Sequence, residues 1–440
     1  MDYSNGKRRL GPSESYERLK ARARIRKAQR KSAKVSLDDL MDAFKGLKSD
    51  GELSCIPESQ TREALVKTMQ MIRAGTYSPK ATTKKLISKP SGGTRQLDIP
   101  PEVDRVVAKA VLQQISPVID KQFDPRSHGG RPNLGPPFTL ATAAKAIAAG
   151  KTFVVAADIK DAFPSLPTES ALACLEKLLG NTNANLELAK VSVRGHLGHK
   201  RMLGIGQGSP LSPLVFNCFM HEWVDSTVPL DSEVVYVRYL DNLYAFGNEA
   251  SKPLQLMEAI KAGLARHGMT LNIDPVKDIK TEILPILGYQ AEAHKGKIRL
   301  VGSKKALAQL MTSLEKVFNK PNPQVTGKQA VVSWLESQGL RDRWEIEDSI
   351  IVNQLMEDYG LDYKTSYMET LKVMESTRKD WILKHTLDLP LVQYAKHVDS
   401  LGNFDPHPSE NPLGNNLMKV LLTASPPIDE FGVKALFDAS

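Results

Sequence analysis

Between Val234 and Phe246 the chain reads VVYVRYLDNLYAF, two short runs rich in Val, Tyr, Leu and Phe divided by Leu240, Asp241 and Asn242. This pattern predicts strands over Val234–Tyr239 and Leu243–Phe246, joined by a tight turn into a mostly buried hairpin. Asp and Asn are ordinary turn residues, so the hairpin alone names no chemistry. It does display one acid at the end of a rigid element, where position is held tightly. A second apolar run, Phe153–Ala157, reads as a buried central strand and ends in Asp158. A carboxylate there needs a partner or a cation, unless it caps a following helix. Asp161 and Phe163 lie just beyond it.

Helical periodicity fills the intervals. Ser36 is placed to cap a helix over LDDLMDAF. Leu65, Met69 and Ile72 mark a second helix, and EVDRVVAKAVLQQISPVI a third, with Pro117 in its last turn. TLATAAKAIAAG predicts a helix of small residues ending at Gly150, and another helix is expected over Leu186–Val193. An apolar helix starts near Pro210, and an amphipathic one ends near Gly268. Two segments read as turns. KKLISKPSGGTRQLDIP is a hairpin around Ser-Gly-Gly, with Lys89 before the turn and Arg95 after it. Two such cations could grip a triphosphate or be ordinary surface charges. The second, around Gly204, Gly206 and Gly208, allows close approach of backbone to a ligand. It lacks the lysine of a phosphate-binding loop and the setting of a dinucleotide site. LNIDPVKDIKTEI carries Lys277 and Lys280, and ILGYQ with KIRLVG closes the sheet region. From Lys304 onward the pattern is helical, with Trp334, Trp344 and Trp381 expected between helices. Pro, Asn and Gly then dominate Gly402–Pro427, before a last short helix, DEFGVKALFDA.

Composition sets bounds. The 440 residues suffice for two or three subdomains with a substantial core. No run of 18 apolar residues occurs, which excludes a helical membrane span from the expectations. The basic N-terminus lacks the apolar stretch of a secretory signal. Three separated cysteines (Cys55, Cys174, Cys218) suggest neither a zinc site nor a disulfide framework, so a cytoplasmic setting is expected. The net charge of +9 is concentrated: Lys7–Lys34 holds twelve Lys/Arg against two Glu. Such a block attracts polyanions, and Arg22, Arg24, Arg26, Lys27, Arg30 and Lys31 are its candidate nucleic-acid contacts, against the plainer reading of a solvated basic arm.

Taken in order, the segments resemble a reverse transcriptase. DIKDAFPSL is similar to that family's first metal-binding motif, GIGQGSPLSPLVFN to its glycine-glutamine-glycine motif, and RYLDNLYAF to its Tyr-x-Asp-Asp hairpin. LNIDPVKDIK and ILGY resemble the two motifs that follow. KPSGGTRQLDIPPEVDRVVAKAVL resembles the fingers hairpin and helix of group II intron-type and related bacterial enzymes. The resemblance spans roughly Arg62–Tyr289. It implies an α+β right-hand polymerase: a basic arm and helix over 1–50, fingers over 51–150, a palm with an antiparallel sheet over 151–300, and a helical thumb and C-terminal extension over 301–440.

The resemblance also implies a chemistry. Two Mg²⁺ ions (or Mn²⁺), ~4 Å apart, activate a primer hydroxyl and neutralise the leaving pyrophosphate. Asp158, Asp241 and the Ile159 carbonyl would be the ligands, with Asn242 available as a neutral one. Lys89 and Arg95 would hold the dNTP, Gln207 and Gly208 would line its pocket, and Phe163 would exclude a 2′-hydroxyl. Lys277, with Lys280 as rival, would protonate pyrophosphate. Asn242 stands where the family has a second aspartate, and Gly206 where a proline is common. The expected partners are an RNA template, such as a dedicated non-coding RNA in antiphage defence, together with DNA and dNTPs, and no membrane. A protein partner or self-association is left open. So are untemplated or protein-primed synthesis and a weakened nucleic-acid-binding scaffold.

Overall fold

The computed structural model describes residues 34–49, 53, 58–88, 94–132, 134–229, 233–294, 297–318, 323–338, 346–361, 370–374 and 376. The basic arm before Lys34, Trp344, Trp381, the 402–427 tail and the last expected helix lie outside them. By internal contacts the chain groups into two units, 1–87 with 96–123 and 166–219, and 88–95 with 124–165 and 220–440.

The first unit is mainly helical: Leu37–Ser49, Glu58–Ala74, Glu102–Ile119, Thr168–Leu179 and Leu186–Arg194. Leu40, Leu47, Leu65, Val107, Val111, Ile115, Leu172 and Ala189 recur at helical spacing and are buried. Ser36 does cap the first helix: its hydroxyl accepts from the Asp39 amide (3.2 Å), while Asp39 accepts from the Ser36 amide (2.9 Å). The Asp39 carboxylate also takes a hydrogen bond from Gln114 at 2.7 Å, tying that cap to the Glu102–Ile119 helix. Pro117 sits inside that helix without ending it. The hairpin consists of β1 (Thr83–Ser88) and β2 (Thr94–Ile99). Its stem groups with the first unit and 88–95 with the second.

The second unit is built on an antiparallel sheet. Its strands are β3 (Phe153–Ile159), β4 (Val234–Tyr239), β5 (Asn242–Gly247), β6 (Leu271–Ile273) and β7 (Lys277–Asp278), in the order β4-β5-β3-β6 with β7 also on β3. Strand alternation sorts the residues. Val154 lies opposite Phe246, and Val237 opposite Tyr244. These four share a buried face with Leu140, Ala143 and Ile147 of the Pro136–Ala148 helix. That helix was expected among the fingers; its apolar face instead packs on this sheet. Conversely, 166–219, expected in the palm, groups with the helical unit. The later strands β8 (Leu284–Ile286), β9 (Tyr289–His294) and β10 (Lys297–Gly302) form a separate three-stranded sheet rather than closing the first.

Helices Lys304–Phe318, Pro323–Ser337 and Ile346–Asp358 follow. Leu310, Leu314, Trp334, Leu335 and Val352 form their shared core, and the Trp334 indole donates to the Ala306 carbonyl at 2.8 Å. No helix among the described residues is long and apolar enough to cross a membrane.

Candidate active site

The β4–β5 turn and the end of β3 meet through backbone pairing. Asp158 is registered against Asn242 on β5 and against Asn272 on β6. One residue on, the Ile159 amide donates to the Asp241 carbonyl at 3.0 Å. The ladder therefore brings Asp158 and Asp241 to one end of the sheet. Asp158 belongs to the strand and does not cap a helix; its side chain is exposed. Asp241 is half-buried.

Each carboxylate has an asparagine beside it. Asn242 Nδ2 donates to Asp241 Oδ1 at 3.2 Å, and Asn272 Nδ2 to Asp158 Oδ2 at 3.2 Å. An ionised carboxylate only accepts hydrogen bonds, so an amide facing it presents its NH₂. Burial raises the Asp241 pKa above the usual carboxylate value and the Asp158 charge adds to this, while its own backbone amide, Arg95 and Arg238 oppose the rise. The pair thus concentrates negative charge with only partial compensation, which a dication would relieve. Among the described residues no cluster of three or more His, Cys, Asp or Glu side chains forms a metal cage. Mg²⁺ rarely needs one, since it is commonly held by one or two carboxylates together with water and substrate phosphates. Two exposed or half-buried carboxylates therefore fit it.

Other expected residues fall into place unequally. Arg95 is exposed at the start of β2 and acts electrostatically on Asp241. Lys89 lies outside the described residues, as do Arg22, Arg24, Arg26, Lys27, Arg30 and Lys31. Phe163 is half-buried in a one-turn helix, Ala162–Ser165, reached from β3 through Asp161 at φ 46°. Lys277 is not brought to the carboxylates. It pairs with Val154, four residues before Asp158, roughly 13 Å along a strand, and its amine donates to the Ile283 carbonyl at 3.0 Å. Lys280 is exposed beyond β7.

Within the helical unit, Gln207 and Gly208 form a turn held against β2. The Asp98 amide donates to the Gln207 carbonyl at 2.8 Å. Gly208 has φ +124°, and a Cβ there would stand 3.0 Å from the Asp98 carbonyl oxygen, so both conformation and space require glycine. The Gly206 carbonyl accepts from Ser212 Oγ at 2.7 Å.

Residues 87–291 match the family model for reverse transcriptase (RNA-dependent DNA polymerase). The match covers just under half of the chain. The chain is similar to the group II intron-encoded protein LtrA of Lactococcus lactis subsp. cremoris, 27% identical over 40% of this chain and 30% of that protein. An uncharacterized 91 kDa protein in the cob intron of Schizosaccharomyces pombe is 26% identical over 40% of this chain and 22% of its own length. Protein YkfC of Escherichia coli K12 is 24% identical over 38% and 47% respectively. The match to the first of these spans under a third of that relative. Among solved structures, telomerase from Candida albicans aligns with a TM-score of 0.42 at 12% identity, over 75% of this chain and 65% of that one.

Two features of the site had escaped the sequence. Asn272 lies in LNIDPVKDIK, a segment read for its lysines, and becomes meaningful itself only through the β3–β6 register. Arg238 is the one charged residue of β4, and it is wholly buried and ion-paired to Asp225. The signal was the oddity itself, since an arginine in a buried strand requires an acid nearby.

Proposed function

We propose that the chain is an RNA-directed DNA polymerase that adds dNTPs to a primer 3′-hydroxyl. The observation that carries this reading is the convergence of Asp158 and Asp241 at one sheet end, with Arg95 in electrostatic reach. Asp158, Asp241 and the Ile159 carbonyl would hold Mg²⁺, which when bound would supply activation of the primer hydroxyl and neutralisation of the leaving group. Arg95 binds the triphosphate, offering a planar fork to phosphate oxygens. Phe163 sets the size of the sugar that enters. Asn242 and Asn272 orient the two carboxylates and add no charge. The finer reading, that the template is a dedicated non-coding RNA and the role antiphage defence, rests on the family resemblance.

The test is incorporation by purified protein with its co-purifying RNA, each dNTP singly and together, in Mg²⁺ and in Mn²⁺. Asp158→Ala or Asp241→Ala should lower synthesis at least ~10³-fold, consistent with losing electrostatic stabilisation of the transition state. Normal product from either variant would sink the assignment. Silence of the wild type in both metals, with RNA still bound, would favour a binding scaffold. Loss of phage protection in cells carrying Asp241→Ala would support the defence role.

A further inference from the structure

Behind the Asp241 turn lies a buried polar network that reaches beyond the Arg238–Asp225 ion pair. Arg238, on β4, is fully buried, as is Asp225. Its Nε donates to Asp225 Oδ1 at 2.8 Å and its Nη2 to Asp225 Oδ2 at 2.6 Å. The same Nη2 donates to Ser127 Oγ at 2.6 Å, and Nη1 to the Leu240 carbonyl at 2.9 Å. The Tyr236 hydroxyl donates to Asp225 at 3.0 Å. The main chain of Arg238 is held as well: its amide donates to the Arg126 carbonyl (2.9 Å), and its carbonyl accepts from the His128 amide (2.8 Å). Arg126 in turn reaches the carbonyls of Asp225, Val228 and Pro229. Three segments, 124–131, 225–229 and β4, are thus laced together.

The Leu240 carbonyl belongs to a turn that would not hold itself. Leu240 has φ 53°, a left-handed conformation that non-glycine residues avoid and that persists only where the surroundings impose it. Gly129 packs closely against the same turn. A Cβ there would stand 2.5 Å from the Leu240 nitrogen and 2.9 Å from the Tyr239 carbonyl carbon. Asp241 is the next residue, so whatever fixes the Leu240 peptide fixes the direction in which its carboxylate leaves the hairpin.

We propose that Arg238 is a positioning residue for Asp241: anchored by Asp225 and Ser127, it holds the strained Leu240 turn so that the carboxylate is preset for a dication. This deepens the polymerase reading and rests on it. Support groups of this kind alter metal affinity by about 10- to 100-fold when removed.

The experiment measures Mn²⁺ binding by electron paramagnetic resonance, alongside thermal melting, on the purified full chain. Asp241→Ala is the control. If the wild type has no Mn²⁺ site that this substitution removes, the polymerase reading fails and the Arg238 role falls with it. Given such a site, Arg238→Lys keeps the buried charge but cannot reach both Asp225 and Leu240. It should weaken Mn²⁺ binding about tenfold. The same change beside Leu240→Gly should cost about threefold or less, because glycine takes the left-handed conformation freely. A lowered melting temperature with unchanged Mn²⁺ affinity would overturn the proposal, and so would an equal loss in both backgrounds. If Arg238→Lys does not fold, Gly129→Ala asks the same question through a second contact with the turn. It leaves the ion pair alone, and a folded Gly129→Ala with wild-type Mn²⁺ affinity would also overturn it.

Discussion

The two sides of the β4–β5 hairpin follow opposite rules. At the tip, Asp158 and Asp241 are exposed or half-buried, and their asparagine partners lie at 3.2 Å. Behind it, Arg238 and Asp225 are excluded from solvent and joined twice, at 2.8 and 2.6 Å. On the proposed reading, the groups that exchange ligands are left with room to do so, and the group that supports them is fully held. The cost is carried by the supporting side, where an unpaired charge has no water to turn to. Asp225→Ala is therefore the sharpest way to break the comparison. It should destabilise the protein by about 3–5 kcal/mol in urea melts, because it leaves Arg238 buried without its counter-charge. Asp225→Asn, which keeps acceptor capacity but not charge, should do less harm. A loss under ~1 kcal/mol for the alanine variant would mean that the network is solvated in solution.

The supporting side also carries a pH dependence of its own. His128 is completely buried, and burial, with Arg131 and Arg238 nearby, lowers its pKa from 6.5 to about 3. Its ring lies 3.1 Å from Thr139 Oγ1. The folded state thus takes up a proton less readily than the unfolded one. Stability from this group is complete above the unfolded value of 6.5, declines as pH falls below it, and is exhausted below about 3. At pH 5 the decline amounts to about 2 kcal/mol relative to neutrality. His128→Gln removes the titration, so the gap between wild-type and variant melting temperatures should change steadily from pH 7 to pH 4. A constant gap would show that the imidazole is hydrated.

What could be read from the sequence follows from how far each signal reaches. The strands around Asp158 and Asp241, the Ser36 cap and most helices rest on local period and local turn chemistry, and they appear where the pattern puts them. The Pro136–Ala148 helix did not group with the fingers, because periodicity reports an apolar face but not what covers it. Lys277 fits a motif by spacing, yet the β3–β7 register sets it opposite Val154 rather than Asp158. Arg238 could be noticed as anomalous, but its contacts to Ser127 and Leu240 depend on a loop folding back along β4. Motif spacing located the acids; long-range register decided what stands beside them.

Asn272 gives the smallest and finest test of the contrast. It contributes one 3.2 Å hydrogen bond to an exposed carboxylate, and solvent competes for both groups. A hydrogen bond to a charged group is worth about 1.5–3 kcal/mol when shielded and less when wet. Asn272→Ala should therefore leave thermal stability within about 0.5 kcal/mol, as ordinary surface substitutions do, while raising the Mg²⁺ needed for half-maximal synthesis by a factor below about ten. Asn272→Asp should act in the opposite sense on metal affinity, since it adds a carboxylate beside Asp158. If Asn272→Ala were as damaging to Mg²⁺ use as Arg238→Lys, the tip would be as tightly organised as its support. If neither asparagine variant moved the Mg²⁺ dependence, Asp158 would be oriented by the strand alone, and the amide at 3.2 Å would be a neighbour without a role.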